Sequence, residues 1–273
     1  MNATSKCGAD GLEHDATILS KLSVLRQKQF WIGIGIYQKV TSWMEVLGCY
    51  QLQEQRDIFL ESSTGLCLWK CNNTKYFSYK KHLQECMCLK HVKEDIYFRS
   101  KLSLDKCKKY NKSEAVLVHK VFNGDYQRSG NDDEMCMTFM CRGNQPQLYE
   151  THCMTTNISI QGLCEDGNPS LDARYWGLPY STQLENCKKR NMLLLRSNAC
   201  TNRTVWERIW TNIFRENIEV EIPGGDNNRI PVRCLSANIS VTEIKDLQIS
   251  QENCTSKLNW FVCKKINYYF LLS

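Results

Sequence analysis

Four cysteines in the middle of the chain have the residue type and spacing for either metal binding or a pair of disulfides. Cys67 and Cys71 are four apart in "TGLCLWKC", and Cys86 and Cys88 are two apart in "ECMC". Cysteines four apart share a face of a helix, and cysteines two apart share a face of a strand. We therefore expect a helix that lies on a strand and is joined to it by two disulfides. A zinc site is the alternative, although this spacing matches the usual paired zinc motif poorly.

The cysteine content indicates the compartment in which the protein folds. The chain has 16 cysteines in 273 residues, which is typical of proteins oxidised in the secretory pathway. We predict an extracellular or cell-surface glycoprotein. Acceptor sites for N-glycosylation agree with this prediction, and they occur at Asn2, Asn72, Asn111, Asn157, Asn202, Asn238 and Asn253.

The expected export signals are missing from the sequence. Residues 1–15 have no apolar run typical of a signal peptide, and no segment has the roughly eighteen apolar residues that cross a membrane. We expect that the sequence is a fragment of a longer precursor and that this part of it has no transmembrane span. A gene model that has lost one end and an unconventional export route are the alternatives.

Positive charge is concentrated in one segment and suggests what the protein binds. The formal net charge is +6, and the segment from Lys75 to Lys120 has twelve Lys or Arg against five Asp or Glu, a net of +7. Such a segment attracts acidic or sulfated polysaccharides, or acidic protein surfaces. We do not expect nucleic acid as a partner of an exported chain. A solvated basic face without a partner is the alternative.

The sequence contains no recognisable catalytic motif. The five histidines lie in polar segments without a nucleophile motif beside them, and there is no phosphate-binding glycine loop and no H-E-x-x-H. We therefore predict a protein that is not an enzyme and that uses no cofactor and no metal.

Hydrophobic spacing predicts the elements that position these residues. Ile18, Leu22 and Leu25 are spaced for a helix within residues 15–28, and "QFWIGIGIY" then has the composition of a strand. Residues 123–170 are polar and rich in turn residues. We interpret them as a connection stapled by Cys136, Cys141, Cys153 and Cys164.

Two helices and several short strands are predicted in the last hundred residues. Thr182 with Glu185, and Thr204 with Glu207, have the spacing of helix capping boxes. In the second predicted helix, "TVWERIWTNIF", the tryptophans are interpreted as core residues, with a ligand platform as the alternative. The remaining residues alternate short β-rich runs with turn signals. The fold class predicted for the chain is α+β, made of small disulfide-rich modules.

The segment 171–267 resembles the C-type lectin-like domain. The parts that carry the resemblance are, in order, a helix with Cys187, a helix with Trp206 and Trp210, and then Cys234, Cys254 and "WFVCKK" with Cys263. The resemblance implies two disulfides, Cys187 with Cys263 and Cys234 with Cys254.

The calcium site of the sugar-binding C-type lectins is not preserved in this chain. Those proteins resemble one another in a Glu-Pro-Asn or Gln-Pro-Asp loop and in a Trp-Asn-Asp triplet that supplies calcium ligands. Here the triplet is replaced by Ile249, Ser250 and Gln251, which removes oxygens that a hard cation needs. We predict no calcium-dependent sugar site. Asp226 and Asn227 still offer side-chain oxygens and stay candidate sugar-binding residues, with a simple turn as the alternative.

The segment 48–122 resembles the WSC domain, a cysteine-rich module of cell-wall stress sensors and of other extracellular proteins. The features that carry the resemblance are "GCY" at 48–50, the Cys67-x3-Cys71 helix, "YFSY" at 76–79, "ECMC" at 85–88 and Cys107. The resemblance implies carbohydrate binding. The candidate sugar-binding residues in this segment are Tyr76, Tyr79, Lys80 and Lys81, because aromatic rings suit sugar faces.

Residues 1–47 resemble a partial C-type lectin-like unit, through "FWIGIGIYQKVTSW". The predicted organisation is therefore a partial lectin-like segment (1–47), a WSC-like domain (48–122), a disulfide-stapled connection (123–170) and a lectin-like domain (171–267). This order is similar to that of extracellular mosaic proteins. The function expected is calcium-independent carbohydrate binding, and the alternative is protein–protein adhesion or a scaffold without sugar binding.

Overall fold

Two compact units make up the chain in the computed structural model. The first unit combines residues 1–39 with 217–273, and the second consists of residues 40–216. Within these units the structure describes residues 7, 11–51, 57–89, 101–108, 115–131, 133–168, 177–196, 199–200, 207–224, 229–239, 247–256, 258, 260–264 and 270–272. Both units are mostly β-sheet, with short helices and many disulfides.

The elements of the described residues are short apart from β1. The helices are α1 (Ala16–Leu19), α2 (Thr64–Lys70), α3 (Leu104–Lys108) and α4 (Tyr180–Lys189). The strands of the first half are β1 (Gln29–Val40), β2 (Met44–Gln51), β3 (Ile58–Leu60), β4 (Tyr76–Lys80), β5 (Glu85–Leu89), β6 (Lys101–Leu102) and β7 (Ala115–Val121). Those of the second half are β8 (Cys136–Arg142), β9 (Gln145–Thr151), β10 (Ile160–Gln161), β11 (Arg208–Phe214), β12 (Asn217–Pro223), β13 (Arg233–Ile239), β14 (Leu247–Glu252), β15 (Trp260–Cys263) and β16 (Phe270–Leu272).

The first unit is a sheet built around β1. Its strand order is β14-β13-β1-β15-β16, and β12 also pairs with β1. Strand β13 runs antiparallel to β1, whereas β15 runs parallel to it. Buried apolar side chains from both ends of the chain, among them Phe30, Ile32, Leu235 and Val262, pack into one core. The two ends of the sequence therefore depend on each other for their burial.

The second unit is a larger sheet with β11 among its inner strands. Its order is β3-β5-β4-β7-β2-β11-β8-β9, with β10 paired to β11 and β6 paired to β2. The five residues from Ile209 to Ile213 are all buried, so both faces of β11 are covered. Strand β11 thus joins the β2–β7 part of the sheet to the β8–β9 hairpin.

The structure contradicts the helix predicted at "TVWERIWTNIF". Residues 208–214 form strand β11, and Thr204 and Trp206 lie outside the described residues. The three-and-four spacing of the apolar residues fits a helix, but a strand buried on both faces also has apolar residues that point to either side of the sheet. Ile209, Thr211 and Ile213 are β-branched, which suits a strand.

The two other helix predictions are confirmed only in part. Helix α4 covers the segment of the first capping box, but its N-cap is Pro179 and Thr182 lies inside the helix, so the box itself was wrong. Within residues 15–28, α1 ends at Leu19 and a 3-10 turn at 23–25 follows. Of the predicted face, Leu25 is fully buried, whereas Ile18 and Leu22 are half-buried, and the fully buried residue of α1 is Leu19. The strand predicted after this segment is part of β1.

The boundaries of the two units differ from the four segments predicted from the sequence. Residues 48–122, 123–170 and the first part of 171–267 all lie in the second unit. The reason is strand pairing between distant segments, because β11 pairs with β2 and with β8. In the same way, β13 and β15 pair with β1. Residues 123–168 are thus not a connection but supply strands β8, β9 and β10 of the larger sheet.

All 16 cysteines form disulfides, and the pairing confirms some expectations and corrects one. The expected double staple joins α2 to β5 through Cys67–Cys86 and Cys71–Cys88. Cys234 is bonded to Cys254, as the lectin-like resemblance implies. The remaining bonds are Cys7–Cys263, Cys49–Cys107, Cys136–Cys153, Cys141–Cys200 and Cys164–Cys187.

The implied bond between Cys187 and Cys263 was wrong. Cys187 is on α4 in the second unit, and its partner Cys164 is in the same unit. Cys263 ends β15 in the first unit and is bonded to Cys7. Each of the two bonds therefore links segments that the fold of one unit already brings together.

His119 makes the stability of the second unit dependent on pH. Its ring is 3% exposed and stacks on Phe77 with centroids 5.1 Å apart. Burial lowers the pKa of His119 to about 4. The unfolded chain binds a proton at this histidine near pH 6.5, and the folded chain only near pH 4. The contribution of neutral His119 to the free energy of unfolding is therefore complete above pH 6.5 and is lost as the pH falls to 4.

We predict that His119→Gln makes stability less sensitive to acid. Between pH 7 and pH 4 the unmodified protein should lose about 3 kcal/mol of unfolding free energy through this histidine, whereas the variant should not. The measurement is urea unfolding at a series of pH values, with the exposed His82→Gln as the control. Equal losses in the unmodified protein and in His119→Gln would contradict the prediction.

Candidate functional site

The candidate site is a polar pocket in the second unit with a volume of ≈ 430 Å³. Its size is within the range of roughly 300–1,000 Å³ that is typical of small-molecule sites. Its wall is rich in charged, amide and hydroxyl groups. The side chains that carry these polar groups include Glu134, Glu150, His152, Asn157, Ser159 and Arg208.

The wall is held by strand pairing and one disulfide. Glu150 is near the end of β9, which pairs with β8 along its whole length. Glu134 lies two residues before Cys136, and His152 directly precedes Cys153; the bond between these cysteines ties the beginning of β8 to the loop after β9. Arg208 begins β11 and lies beside Ile160, because β10 runs parallel to β11. The pocket thus forms where the beginnings of β8, β10 and β11 meet the end of β9.

Glu150 forms a buried ion pair behind the pocket wall. The residue is 7% exposed, and its Oε1 lies 3.6 Å from Nη2 of Arg215. Its Oε2 accepts a hydrogen bond of 3.1 Å from the backbone N–H of Ser129. Arg215 also stacks over the ring of Trp43, 4.4 Å from its centroid. The charge of Glu150 is compensated within the fold, so its role is to hold the wall.

Glu134 offers a hydrogen-bond acceptor that the fold does not use. Its backbone carbonyl accepts from Nε of Arg215 at 2.9 Å, which fixes the residue in place. Its side-chain oxygen Oε2 is buried and has no hydrogen-bond partner among the described residues. A buried acceptor without a partner raises the free energy of the folded protein. A ligand that donates a hydrogen bond to this oxygen would remove that penalty.

Arg208 offers hydrogen-bond donors in a fixed orientation. Its guanidinium lies over the ring of Tyr149, 4.4 Å from the centroid. No carboxylate of the described residues forms an ion pair with it. A guanidinium that rests on an aromatic face loses little further freedom when it binds an oxygen ligand. Arg208 is therefore suited to bind hydroxyl or carboxylate oxygens.

The loop after β9 adds a histidine and an amide to the rim. Nδ1 of His152 accepts from the backbone N–H of Met154 at 3.3 Å, so a neutral ring carries its proton on Nε2. Oδ1 of Asn157 accepts from the N–H and the hydroxyl of Ser159 at 2.9 and 2.8 Å. These bonds leave Nε2 of His152 and Nδ2 of Asn157 as further donors at the pocket.

The pocket supplies donors and acceptors rather than a set of metal ligands. In the part of the chain that the structure describes, the group of side chains with metal-binding spacing is Cys67, Cys71 and Cys86. Each of these sulfurs is in a disulfide and is not a thiolate, the form that binds zinc. The structure therefore favours the double staple over the zinc site at these cysteines.

The structure places the predicted aromatic sugar site in the protein core. Tyr76 and Tyr79 are 4% and 5% exposed on β4, which lies between β5 and β7. Neither ring offers a face to a sugar, so the prediction of an aromatic platform was wrong. Lys80 forms an ion pair of 3.6 Å with Glu85, and Lys81 is exposed in the turn that follows.

Other candidate residues are exposed or lie outside the described residues. Asp226 and Asn227 are not described, and neither are the glycosylation candidates Asn2, Asn111 and Asn202. The other four acceptor asparagines are exposed, as N-glycosylation requires: Asn72, Asn157, Asn238 and Asn253.

Sequence reasoning missed the pocket because it misassigned two of its elements. The segment that holds Glu150 and His152 was interpreted as a connection, and Arg208 was placed in a helix. One signal was present: "MTFMCRGNQPQLYET" has two strand-like runs around Gly-Asn, a pair typical of hairpin turns. Gly143 in that turn has a φ of +60°, a conformation that favours glycine.

Comparison with known proteins adds no identification. No family model matches the chain, and no curated protein and no solved structure matches it. The WSC-like and lectin-like assignments therefore stay predictions from sequence resemblance. In the described residues no helix is long and apolar enough to span a membrane.

We predict that Arg215→Met destabilises the second unit by about 3 kcal/mol, because it leaves the buried charge of Glu150 without its partner. The matched control is Arg233→Met, which removes an ion pair between two exposed side chains, Arg233 and Glu219. That variant should lose less than about 1 kcal/mol. The measurement is urea unfolding at pH 7. Equal losses in the two variants would show that the buried pair has no special weight.

Proposed function

We propose that this protein is an extracellular recognition protein that binds carbohydrate without calcium, and that the ligand enters the polar pocket of the second unit. The observation that carries the proposal is the pairing, in one concave site, of an unused buried acceptor on Glu134 with unused donors on Arg208. No catalytic role is proposed for either residue.

A sugar has the chemistry that this arrangement recognises. Each sugar hydroxyl donates one hydrogen bond and accepts others, so neighbouring hydroxyls are satisfied by a carboxylate and a guanidinium together. Asn157 and His152 extend the same kind of contact along the rim. Charge-assisted hydrogen bonds to Glu134 and Arg208 would supply most of the affinity, because such bonds are roughly twice as strong as neutral ones.

Among carbohydrates, the positive charge of Arg208 favours acidic sugars over neutral sugars. Arg208 has no ion-pair partner in the described residues, whereas Glu150 is already paired with Arg215. A uronic acid or a sulfated sugar could place its anionic group on Arg208 and a hydroxyl on Glu134. This preference agrees with the basic composition of residues 75–120.

The extracellular part of the proposal is supported by covalent chemistry. Eight disulfides link all the cysteines of the chain. Disulfides persist in oxidising compartments. Four exposed asparagines stand in acceptor sequences for N-glycosylation.

The test is binding of the secreted protein, after enzymatic removal of its N-glycans, to a panel of neutral, uronic-acid and sulfated glycans, with and without a calcium chelator. We expect binding that survives chelation. We also expect Arg208→Ala or Glu134→Gln to weaken it about tenfold to a hundredfold, because each removes a charge-assisted hydrogen bond. The control is Arg142→Ala, which removes an exposed arginine at the far end of the β8–β9 hairpin. Binding that chelation abolishes, or that the pocket variants leave unchanged, would contradict the proposal.

Protein–protein adhesion is the second candidate, and a different surface favours it. Ile58 and Leu60 are 54% and 76% exposed on β3, the last strand at one end of the sheet order, and the nearby turn exposes Leu83. Exposed apolar side chains that lie together mark contact surfaces in many proteins. A blank glycan panel from folded protein, together with a protein partner whose binding is lost in Leu60→Ser, would favour adhesion over sugar binding.

A further inference from the structure

One residue of the pocket wall is also an acceptor site for N-glycosylation. Asn157 lines the pocket and begins the sequence Asn157-Ile158-Ser159, and its side chain is exposed. Its Oδ1 is held by the N–H and the hydroxyl of Ser159. The other atom of the same amide, Nδ2, is the one that receives a glycan. The modification would therefore add its first sugar directly at the wall of the pocket.

We propose that an N-glycan on Asn157 covers the pocket, so that only chains unmodified at this residue offer the pocket to a soluble ligand. In the modification, Nδ2 attacks the anomeric carbon of a lipid-diphosphate sugar donor. The new C–N bond forms as the C–O bond to the diphosphate breaks, and the amide loses one proton. The product is bulky and hydrated, and it cannot leave the rim.

The covalent link gives the glycan an advantage over any free sugar. A tethered group has an effective concentration on the order of millimolar at a site that it can reach. Its hydroxyls are of the class that Arg208 and Glu134 would bind, a step that rests on the proposed function. Coverage of the pocket by the bulk of the glycan does not rest on it.

The other exposed acceptor sites provide an internal control. Asn253 has the same local geometry, since its Oδ1 accepts from the N–H and the hydroxyl of Thr255 at 3.0 and 2.8 Å. It belongs to the first unit and does not line the pocket. A glycan on Asn253 should therefore leave the pocket accessible, although it has a similar size and a similar attachment.

The experiment measures access to His152, which lines the pocket and is exposed. The full chain is secreted from a glycosylating host, and occupancy at Asn157 and Asn253 is read by glycopeptide mass spectrometry. Carbethoxylation of His152 by diethylpyrocarbonate is then followed by peptide mapping. The samples are the glycosylated protein without substitutions, the variants Asn157→Gln, Ser159→Ala and Asn253→Gln, and the protein without substitutions after enzymatic removal of its glycans. The last sample keeps the test valid if a variant fails to fold.

The bulk of the glycan alone slows the reagent at His152. Where the tethered glycan also binds in the pocket, a step that rests on the proposed function, an effective concentration of about ten times its dissociation constant leaves the pocket open about a tenth of the time. We therefore expect His152 to react about tenfold faster when the glycan of Asn157 is missing, in both sequon variants and in the deglycosylated protein. In Asn253→Gln, His152 should react at the same rate as in the glycosylated protein without substitutions. Equal rates in all samples, or an Asn157 that carries no glycan in the secreted protein, would overturn the proposal.

The two proposals can fail separately. If deglycosylated protein exposes His152 but binds no sugar on the glycan panel, glycan coverage stands and carbohydrate recognition falls. If the protein binds sugar equally well with and without the glycan on Asn157, recognition stands and coverage falls.

Discussion

Pairing of strand β11 with segments far away in the sequence is the constraint on which the second unit depends. Strand β11 contacts β2, β8 and β10, and both of its faces are buried. The indole of Trp210 is fully buried and packs edge-on against Tyr180, with centroids 5.7 Å apart. Contacts between segments that are far apart in the sequence cost conformational entropy, because the intervening chain must be closed into a loop. Disulfides such as Cys141–Cys200 lower that cost by restricting the unfolded chain.

The same strand also determines where the pocket is and how its charges are divided. Its first residue, Arg208, supplies donors to the pocket, and Arg215, directly after its last residue, neutralises Glu150 from behind. One glutamate of the wall is thus used by the fold, and the buried oxygen of the other, Glu134, is left for a ligand. A shift of β11 by one residue would turn its side chains to the opposite faces and dismantle both arrangements.

Much of the local structure was predictable from the sequence, and the long-range pairing was not. The spacing of Cys67, Cys71, Cys86 and Cys88 predicts their double staple, because the periods of a helix and of a strand bring the sulfurs together. Strand β1 and helix α4 follow from composition and periodicity. The partner of Cys187 did not follow, because connectivity depends on which segments the sheet brings together.

The errors about the site have the same origin. The apolar residues of β11 have a three-and-four spacing that fits a helix as well as a doubly buried strand, so Arg208 was assigned to the wrong element. Tyr76 and Tyr79 have the composition of a sugar platform, but β4 is an inner strand, and burial is the commoner use of an aromatic ring. The pocket joins residues from 134 to 208, and no local pattern reports that proximity.

The most direct test of sugar recognition at this pocket is a footprint of His152 with a defined sugar. The deglycosylated protein is treated with diethylpyrocarbonate in excess chelator, with and without a saturating tetrasaccharide of chondroitin sulfate, which contains uronic acid and sulfate. We predict slower modification of His152 with the sugar present and no change at the exposed His82. If a tetrasaccharide that binds the protein leaves the rate at His152 unchanged, the ligand lies elsewhere and the pocket is not the sugar site.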